Sequence, residues 1–365
     1  MSISKGRAIG AALAIGAAAA TGAARADEPG FTIYGTIDTG LVSTTNTGDG
    51  KQNTTGFADS ILGVSNVGFK GVRDIGGGTQ AFFNLQAGFN PTSGQQNASG
   101  VLFSRNAYVG LQGSFGTISV GKQWDLNDDW LTGGIFLGGY NSGAIFKFTE
   151  FDAVSDLYNN TVKYVTPAFG GAQAGAFLSM KGSKAGDNKA GRIENIGAKY
   201  GEGPFYAGIT YFHEDDLGDS EDGSHATYQL TTAAAKYSLS ELALRAGASF
   251  AKISGPGDFQ SIPSMSARSV QAYEIGVDYA FSSKFKASAD LLYRKDTTQD
   301  NHTSVARLLG VWTLTPQAAL LVNVAYLKNG GGATESLVNT DSGDIGGGFP
   351  DQNQTSVAFG VRYSF

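Results

Sequence analysis

Sixteen stretches of roughly ten residues, with apolar side chains at every second place, occupy most of this 365-residue chain. Patterning of period two over such lengths means strands with one apolar and one polar side. In the first, Phe31, Ile33, Gly35, Ile37, Thr39 and Leu41 share a face, while Tyr34, Thr36 and Asp38 hold the other. The clearest sets Tyr273, Ile275, Val277, Tyr279 and Phe281 against Glu274, Gly276 and Asp278. The same alternation puts Lys70, Lys163, Arg245, Arg307 and Arg362 on polar faces. Connections alternate between turns of two to five residues and longer polar loops at 181–191, 213–226, 254–269, 295–303 and 329–353. A soluble sandwich has no reason to sort loop lengths by end, whereas an outer-membrane barrel has short turns at one rim and long loops at the other. Backbone groups in hydrocarbon must all be paired, and a sheet achieves this only by closing on itself. The expected fold class is therefore all-β: a transmembrane antiparallel β-barrel of 16 strands, wide enough to hold water.

Composition agrees with lipid exposure. Charged residues make up 16% of the chain, against about 25% in an ordinary soluble domain. Aromatic residues near strand ends, among them Tyr200, Phe205, Tyr237, Phe281, Phe285 and Tyr363, fit girdles at two lipid interfaces. With no cysteine, disulfides and thiolate metal sites are excluded. Lys5 and Arg7, the apolar run 8–20 and the small-x-small site Ala24-Arg25-Ala26 are the three parts of a secretory signal peptide. Residues 1–26 are expected to be removed, leaving 27–365 as a single barrel domain in the outer membrane. Their loss takes Lys5, Arg7 and Arg25 from 26 basic residues and leaves 23 against 32 acidic ones, a net charge of −9. Such a balance disfavours a nucleic-acid partner.

Two features break the alternation. Over 103–124, Arg105 has the parity of Val109 and Leu111, and Lys122 that of Ile118 and Val120. Either a bulge shifts the register or these strands carry small apolar groups on both faces against another subunit. The stretch from Gln123 to Tyr158 does not alternate at all. Irregular connections of this length inside a compact fold are uncommon and are usually functional or disordered. Its Trp124, Trp130, Phe136, Leu137, Tyr140, Phe146, Phe148 and Phe151 argue against disorder. The sheltered place for a packed loop on a closed barrel is the lumen, where it narrows the passage.

Enzyme chemistry finds no support. His213, His225 and His302 fall in loops or at strand ends, none in a metal-binding spacing, and no phosphate loop or nucleophile elbow is present. The acidic segments 214–222 and 341–344 do not complete a calcium loop. No catalytic residue, metal or cofactor is expected.

The segments FTIYGTIDTGL (31–41), VGFKGVRDIGGGTQAFFNLQAGF (67–89), LFSRNAYVGLQGSFGTISVGKQWD (102–125), NTVKYVTPAFGG (160–171) and VRYSF (361–365) resemble the Gram-negative trimeric porins, most closely their beta-proteobacterial branch. The resemblance implies a sixteen-stranded homotrimer among outer-membrane lipids and lipopolysaccharide, through which ions and small hydrophilic solutes diffuse. It implies that the third extracellular loop folds inward and that Phe365 serves the barrel assembly machinery. By position it sets basic wall residues Lys70, Arg105, Lys122 and Lys163 against loop acids Asp125, Asp128, Asp129, Glu150, Asp152 and Asp156. Further charges on the lumen wall are Asp38, Arg245, Glu274, Asp278, Arg307 and Arg362. The chain departs from its relatives at Leu157 and Tyr158, where arginines are common, and at Gly133-Gly134-Ile135-Phe136, in place of a Pro-Glu-Phe-Gly-Gly turn. A narrower alternative is a channel selective for small organic acids or aromatic compounds, touched by Trp124, Trp130 and Tyr140.

Overall fold

The computed structural model describes residues 30–47, 52–132, 135, 157–180, 192–217, 226–254, 269–337 and 350–365. The expected signal peptide lies outside them, as do Glu150, Asp152, Asp156 and most of the aromatic residues of the long insert. Among the described residues seventeen strands form one antiparallel sheet. The chain enters through β1 (Phe31–Thr47), β2 (Gln52–Ala58), β3 (Asn66–Gly76), β4 (Thr79–Gly88), β5 (Ala107–Gly113) and β6 (Gly116–Trp124). After the insert come β7 (Leu157–Val165), β8 (Ala172–Met180), β9 (Arg192–Glu202), β10 (Phe205–Leu217) and β11 (Ala226–Leu239). The wall is completed by β12 (Leu242–Ser254), β13 (Ser269–Ala280), β14 (Phe285–Asp296), β15 (His302–Thr313), β16 (Ala318–Gly330) and β17 (Asn353–Ser364).

Seventeen strands make sixteen staves because β2 and β3 lie end to end along one edge of β1. Gly40 pairs with Ala58 of β2, and Thr36 with Asn66 of β3. On its other edge β1 pairs with β17 from Thr36 opposite Ser364 to Thr44 opposite Ser356, and the barrel closes. The long insert leaves β6 as the third connection at its rim, after those that follow β1 and β4, and is therefore loop 3.

Tight turns follow from residues that tolerate a left-handed backbone. Gly76, Gly77 and Gly78 have φ of +91°, +62° and +72° between β3 and β4, and Asp74 Oδ1 accepts the Gly76 N–H at 2.7 Å. At the start of β5 the Gln86 N–H donates to Asn106 O and the Arg105 N–H donates to Gln86 O. Two residues thus face one. Of the two explanations for the parity of Arg105, a bulge is the one realised, and the regular strand begins at Ala107 rather than near Phe103.

The two faces are inverted relative to a soluble protein. Leu308 and Ile275 are 61% and 58% exposed, whereas Asp38, Asn195, Thr232 and Ser249 are completely buried. Apolar side chains outside and polar ones inside is what lipid demands. Rings of Tyr279, Phe281, Phe285 and Trp312 touch in sequence around the short-turn rim, with centroids 4.8, 5.5 and 5.7 Å apart. Near the opposite rim Phe250 meets Tyr273 edge to face. From Phe285 to Tyr293 along β14 is a rise of eight residues, about 27 Å along the strand and about 20 Å along the membrane normal once tilted, most of the height of an apolar band.

The lumen face is not polar throughout. Three apolar islands interrupt it, and each lies under a segment folded inward. Leu126, Trp130, Leu131 and Ile135 cover Phe177, Phe212, Tyr228 and Leu230. Ile61 and Leu62 cover Val42, Leu309, Leu321 and Ala358. Leu337 covers Leu292, Val305, Ala325 and Leu327. Burial of this kind stabilises each infolded segment by about 25 cal/mol per Å² of apolar surface removed from water.

The closing seam relies on a glycine pair, Gly40 opposite Gly360. A Cβ on Gly40 would lie 2.1 Å from Phe359 O and 2.6 Å from Gly360 Cα, against backbone that has nowhere to go. Gly40→Val should therefore cost about 1–3 kcal/mol. The loss would appear as a lower temperature at which the compact barrel band shifts to the unfolded mobility on a detergent gel; an unshifted temperature would show that the seam can relax.

Candidate channel lining

Loop 3 leaves β6 at Trp124 and turns at once onto the lumen side of the neighbouring wall. Asp125 drives the turn: its Oδ1 accepts the Asp128 N–H at 2.8 Å and its carbonyl accepts the Asp129 N–H at 3.2 Å. Residues Asp128–Thr132 complete one widened helical turn. Wall residues then hold the backbone. Asn195 Oδ1 accepts the Leu126 N–H at 2.8 Å, and the Tyr206 hydroxyl donates to Trp130 O at 3.0 Å.

Side-chain packing depends on three lumen-facing glycines of neighbouring strands. A Cβ on Gly175 would meet Trp130 Cη2 at 2.7 Å, one on Gly197 would meet Trp130 Cζ3 at 3.1 Å, and one on Gly208 would meet Leu131 Cδ2 at 2.7 Å. Together they form a furrow across β8, β9 and β10 into which the loop wedges. Trp130 is therefore a buried anchor, 4% exposed, and Arg105 covers Trp124 with its guanidinium 5.0 Å from the ring centre. Of the rings named for the aromatic-selective alternative, Trp130 is buried, Trp124 is half-buried under Arg105, and Tyr140 lies outside the described residues.

The charged residues expected at the constriction occupy different settings. Lys163 Nζ meets Asp129 Oδ2 at 2.5 Å and donates to Trp124 O at 3.0 Å, so one predicted wall base and one predicted loop acid do come together. Lys70 lies 5.0 Å above the Tyr34 ring, and Arg105 Nε donates to Gln86 Oε1 at 3.3 Å. Lys122 keeps the outward parity of Ile118 and Val120, its Nζ held by Leu157 O and Asn159 Oδ1, both at 3.1 Å. Asp125 and Asp128 are buried at the base of the loop.

The predicted wall charges assemble into two clusters. Asp38 pairs with Arg362 at 3.2 Å. Arg245 binds Asp278 through Nε at 3.0 Å and through Nη2 at 2.9 Å, lies 3.9 Å from Glu274 and donates to Asp290 Oδ1 at 2.7 Å. Arg307 completes the ladder, donating to Asp290 Oδ2 through Nε at 2.9 Å and through Nη2. Asp290 is thus the hub of four strands, β12 to β15, and sequence reasoning did not single it out. Its polar parity was visible, but not that the register would set it between two arginines. The pair Arg294 and Glu335, 3.2 Å apart, escaped because Glu335 lies on the connection after β16, where no alternation places a side chain.

Opposite this ladder, on β1 and β3 to β5, a network of neutral side chains lies beside Asp38, Lys70 and Arg105. The Tyr34 hydroxyl donates to Asn84 Oδ1 at 2.5 Å, Gln86 Nε2 to Asn66 Oδ1 at 2.8 Å, and Asn106 Nδ2 to Gln86 Oε1 at 2.9 Å. The arrangement is a passage walled by fixed hydrogen-bonding groups, with residues 125–132 of the loop packed on the inner wall. Its chemistry is sorting by size and charge, with no bond making or breaking.

Known proteins agree. The chain is similar to outer membrane porin protein 32 of Delftia acidovorans, 26% identical over 92% of this chain and 93% of that protein. It is 31% identical to an outer membrane porin protein of Bordetella pertussis, over 50% of this chain and 54% of that one. Its fold matches the anion-selective porin from Comamonas acidovorans with a TM-score of 0.80 at 24% identity, over 93% of this chain and all of that one. The family described as Gram-negative porin matches residues 11–332, and the chain belongs to it.

Proposed function

We propose that loop 3 sets the limiting cross-section of this outer-membrane channel, and that Lys70, Arg105 and Lys163 bias its ion preference. The channel itself works by passive diffusion of small solutes. The docking of Trp130 and Leu131 in the glycine furrow supports the first part, because it commits the loop to the lumen side of the wall. The second rests on chemistry at the loop's base. Lys163 neutralises Asp129, so its removal deletes a positive charge and uncovers a negative one. Arg105 lies over Trp124, where the loop leaves the wall, and Lys70 lies over Tyr34 on the lining opposite the ladder.

Replacing all three with glutamine should shift the reversal potential in a salt gradient toward cations, lowering the anion-to-cation permeability ratio by about twofold or more. The measurement is made on the refolded protein in planar bilayers. An unchanged potential would remove these residues from the narrow region.

Residues 1–26 are read as an export signal, since their basic, apolar and small-residue parts precede the first strand at Phe31. Homotrimer assembly is supported by the outer surface of β1 and β3 to β6. There Phe31 stacks on Phe69 at 6.2 Å and meets Phe83 at 6.5 Å, beside exposed Val109, Leu111 and Val120. Phe365 exchanges backbone hydrogen bonds with Gly35, at 3.0 and 3.1 Å. That position at the closing seam fits a residue read by the assembly machinery.

A further inference from the structure

On the channel reading above, we propose that residues 59–65 form a second inward-folded wall of the passage, with Asp38 as the residue that positions it. The segment joins β2 to β3 in the middle of a single stave, where an unbroken strand would be expected. It leaves the sheet after Ala58, opposite Gly40, and rejoins it at Asn66, opposite Thr36. Seven residues therefore span a gap between positions only four apart on β1, and the surplus bulges out of the sheet.

The bulge is held from the lumen side. Asp38, whose side chain faces the lumen, accepts the Ile61 N–H at 2.7 Å, the Leu62 N–H at 2.9 Å and the Gly63 N–H at 3.2 Å. Three successive backbone donors around one carboxylate fix the path of the chain as well as its position. Ser65 stands in for the missing ladder at this height: its hydroxyl donates to Asp38 O at 3.0 Å and accepts the Asp38 N–H at 2.9 Å. Arg362 balances the carboxylate's charge from β17.

The wall is shaped to receive this segment. Gly360 leaves a dent that Ile61 fills, because a Cβ there would fall 2.5 Å from Ile61 Cγ1. Leu309 and Leu321, which would otherwise be bare apolar groups facing water, make up the floor, and Ile61 has no exposed surface. Gly63 and Val64, by contrast, are partly exposed beyond the socket. The socket lies on β15 to β17 and β1, across the barrel from the β8 to β11 wall that receives loop 3. The passage is thus narrowed from two sides, and Gly63 and Val64 become residues that decide what passes.

The absence of cysteine makes a direct test available. Gly63→Cys and Val64→Cys channels, refolded as full mature chains, would be opened in planar bilayers. They would then be treated with methanethiosulfonates carrying either a trimethylammonium or a sulfonate group. We expect a stepwise fall in single-channel conductance of at least about a fifth. The reversal potential should move toward anions with the cationic reagent and toward cations with the sulfonate. Labelling proved by mass with unchanged current and potential, or protection of both thiols in the open channel, would overturn the assignment. Wild-type protein that gives no current at all would instead overturn the channel reading. Asp38→Asn offers a second route. It keeps the shape but cannot accept from all three N–H groups, and should raise open-channel current noise at least about twofold. Unchanged noise would mean that Asp38 does not position the segment.

Discussion

Asp290→Ala should give a barrel that folds but unfolds far more easily than the parent, with the largest stability loss of any single lumen substitution considered. Asp290 lies between Arg245 and Arg307, and all three side chains are essentially without solvent exposure. Removing the carboxylate takes two bonds from Arg307, while Arg245 keeps its two bonds to Asp278. Breaking a buried ion pair by deleting one member costs about 3–5 kcal/mol, because the remaining charge is stranded. The midpoint of urea unfolding in detergent micelles measures the loss. Adding Arg307→Met should recover part of it, since the double variant no longer buries the guanidinium that lost both of its bonds to Asp290. A midpoint within error of wild type for Asp290→Ala would mean that water reaches the ladder freely.

Trp130→Ala is expected to act on the current rather than on the barrel. The ring fills a furrow prepared by Gly175 and Gly197, so truncation leaves a cavity on the docking surface of loop 3 and costs about 3–5 kcal/mol there. The wall strands keep their ladders, and global unfolding should change little. The loop, no longer wedged, should let mean conductance rise by about half or more, and liposome swelling should admit sugars that the parent excludes. Gly197→Leu, which occupies the furrow from the other side, should do the same. If both variants conduct like the parent, loop 3 does not limit the passage.

Much of the wall was legible because a membrane imposes period two so strictly. Tyr273 to Phe281 could be assigned to an outer face, and Glu274 and Asp278 to the lumen, from alternation alone. The strand β2 was not legible: QNTTGFA offers only Phe57 as an apolar outward group. Its end-to-end placement with β3 depends on Asp38, which no local pattern reveals. The start of β5 was misplaced because a bulge at Arg105 and Asn106 breaks the parity count. Alternation set Arg245, Asp278 and Arg307 on polar faces without revealing their partners, since partnership depends on register across four strands. The apolar islands under the infolded segments carried a signal that alternation hides. Leu309, Leu321 and Leu230 stand at polar-face positions, and an apolar residue there needs a cover.

The pairing of Gly35 with Phe365 and of Thr36 with Ser364 has a consequence for how the molecule comes into being. Every other stave meets a neighbour adjacent in sequence, but here the partners are 328 residues apart. Bringing such distant points together costs about 5 kcal/mol of chain entropy before any contact repays it. Until the tail arrives, the first strand keeps a bare edge, a template for aggregation. A chain shortened by a few residues at its end would keep that edge bare permanently.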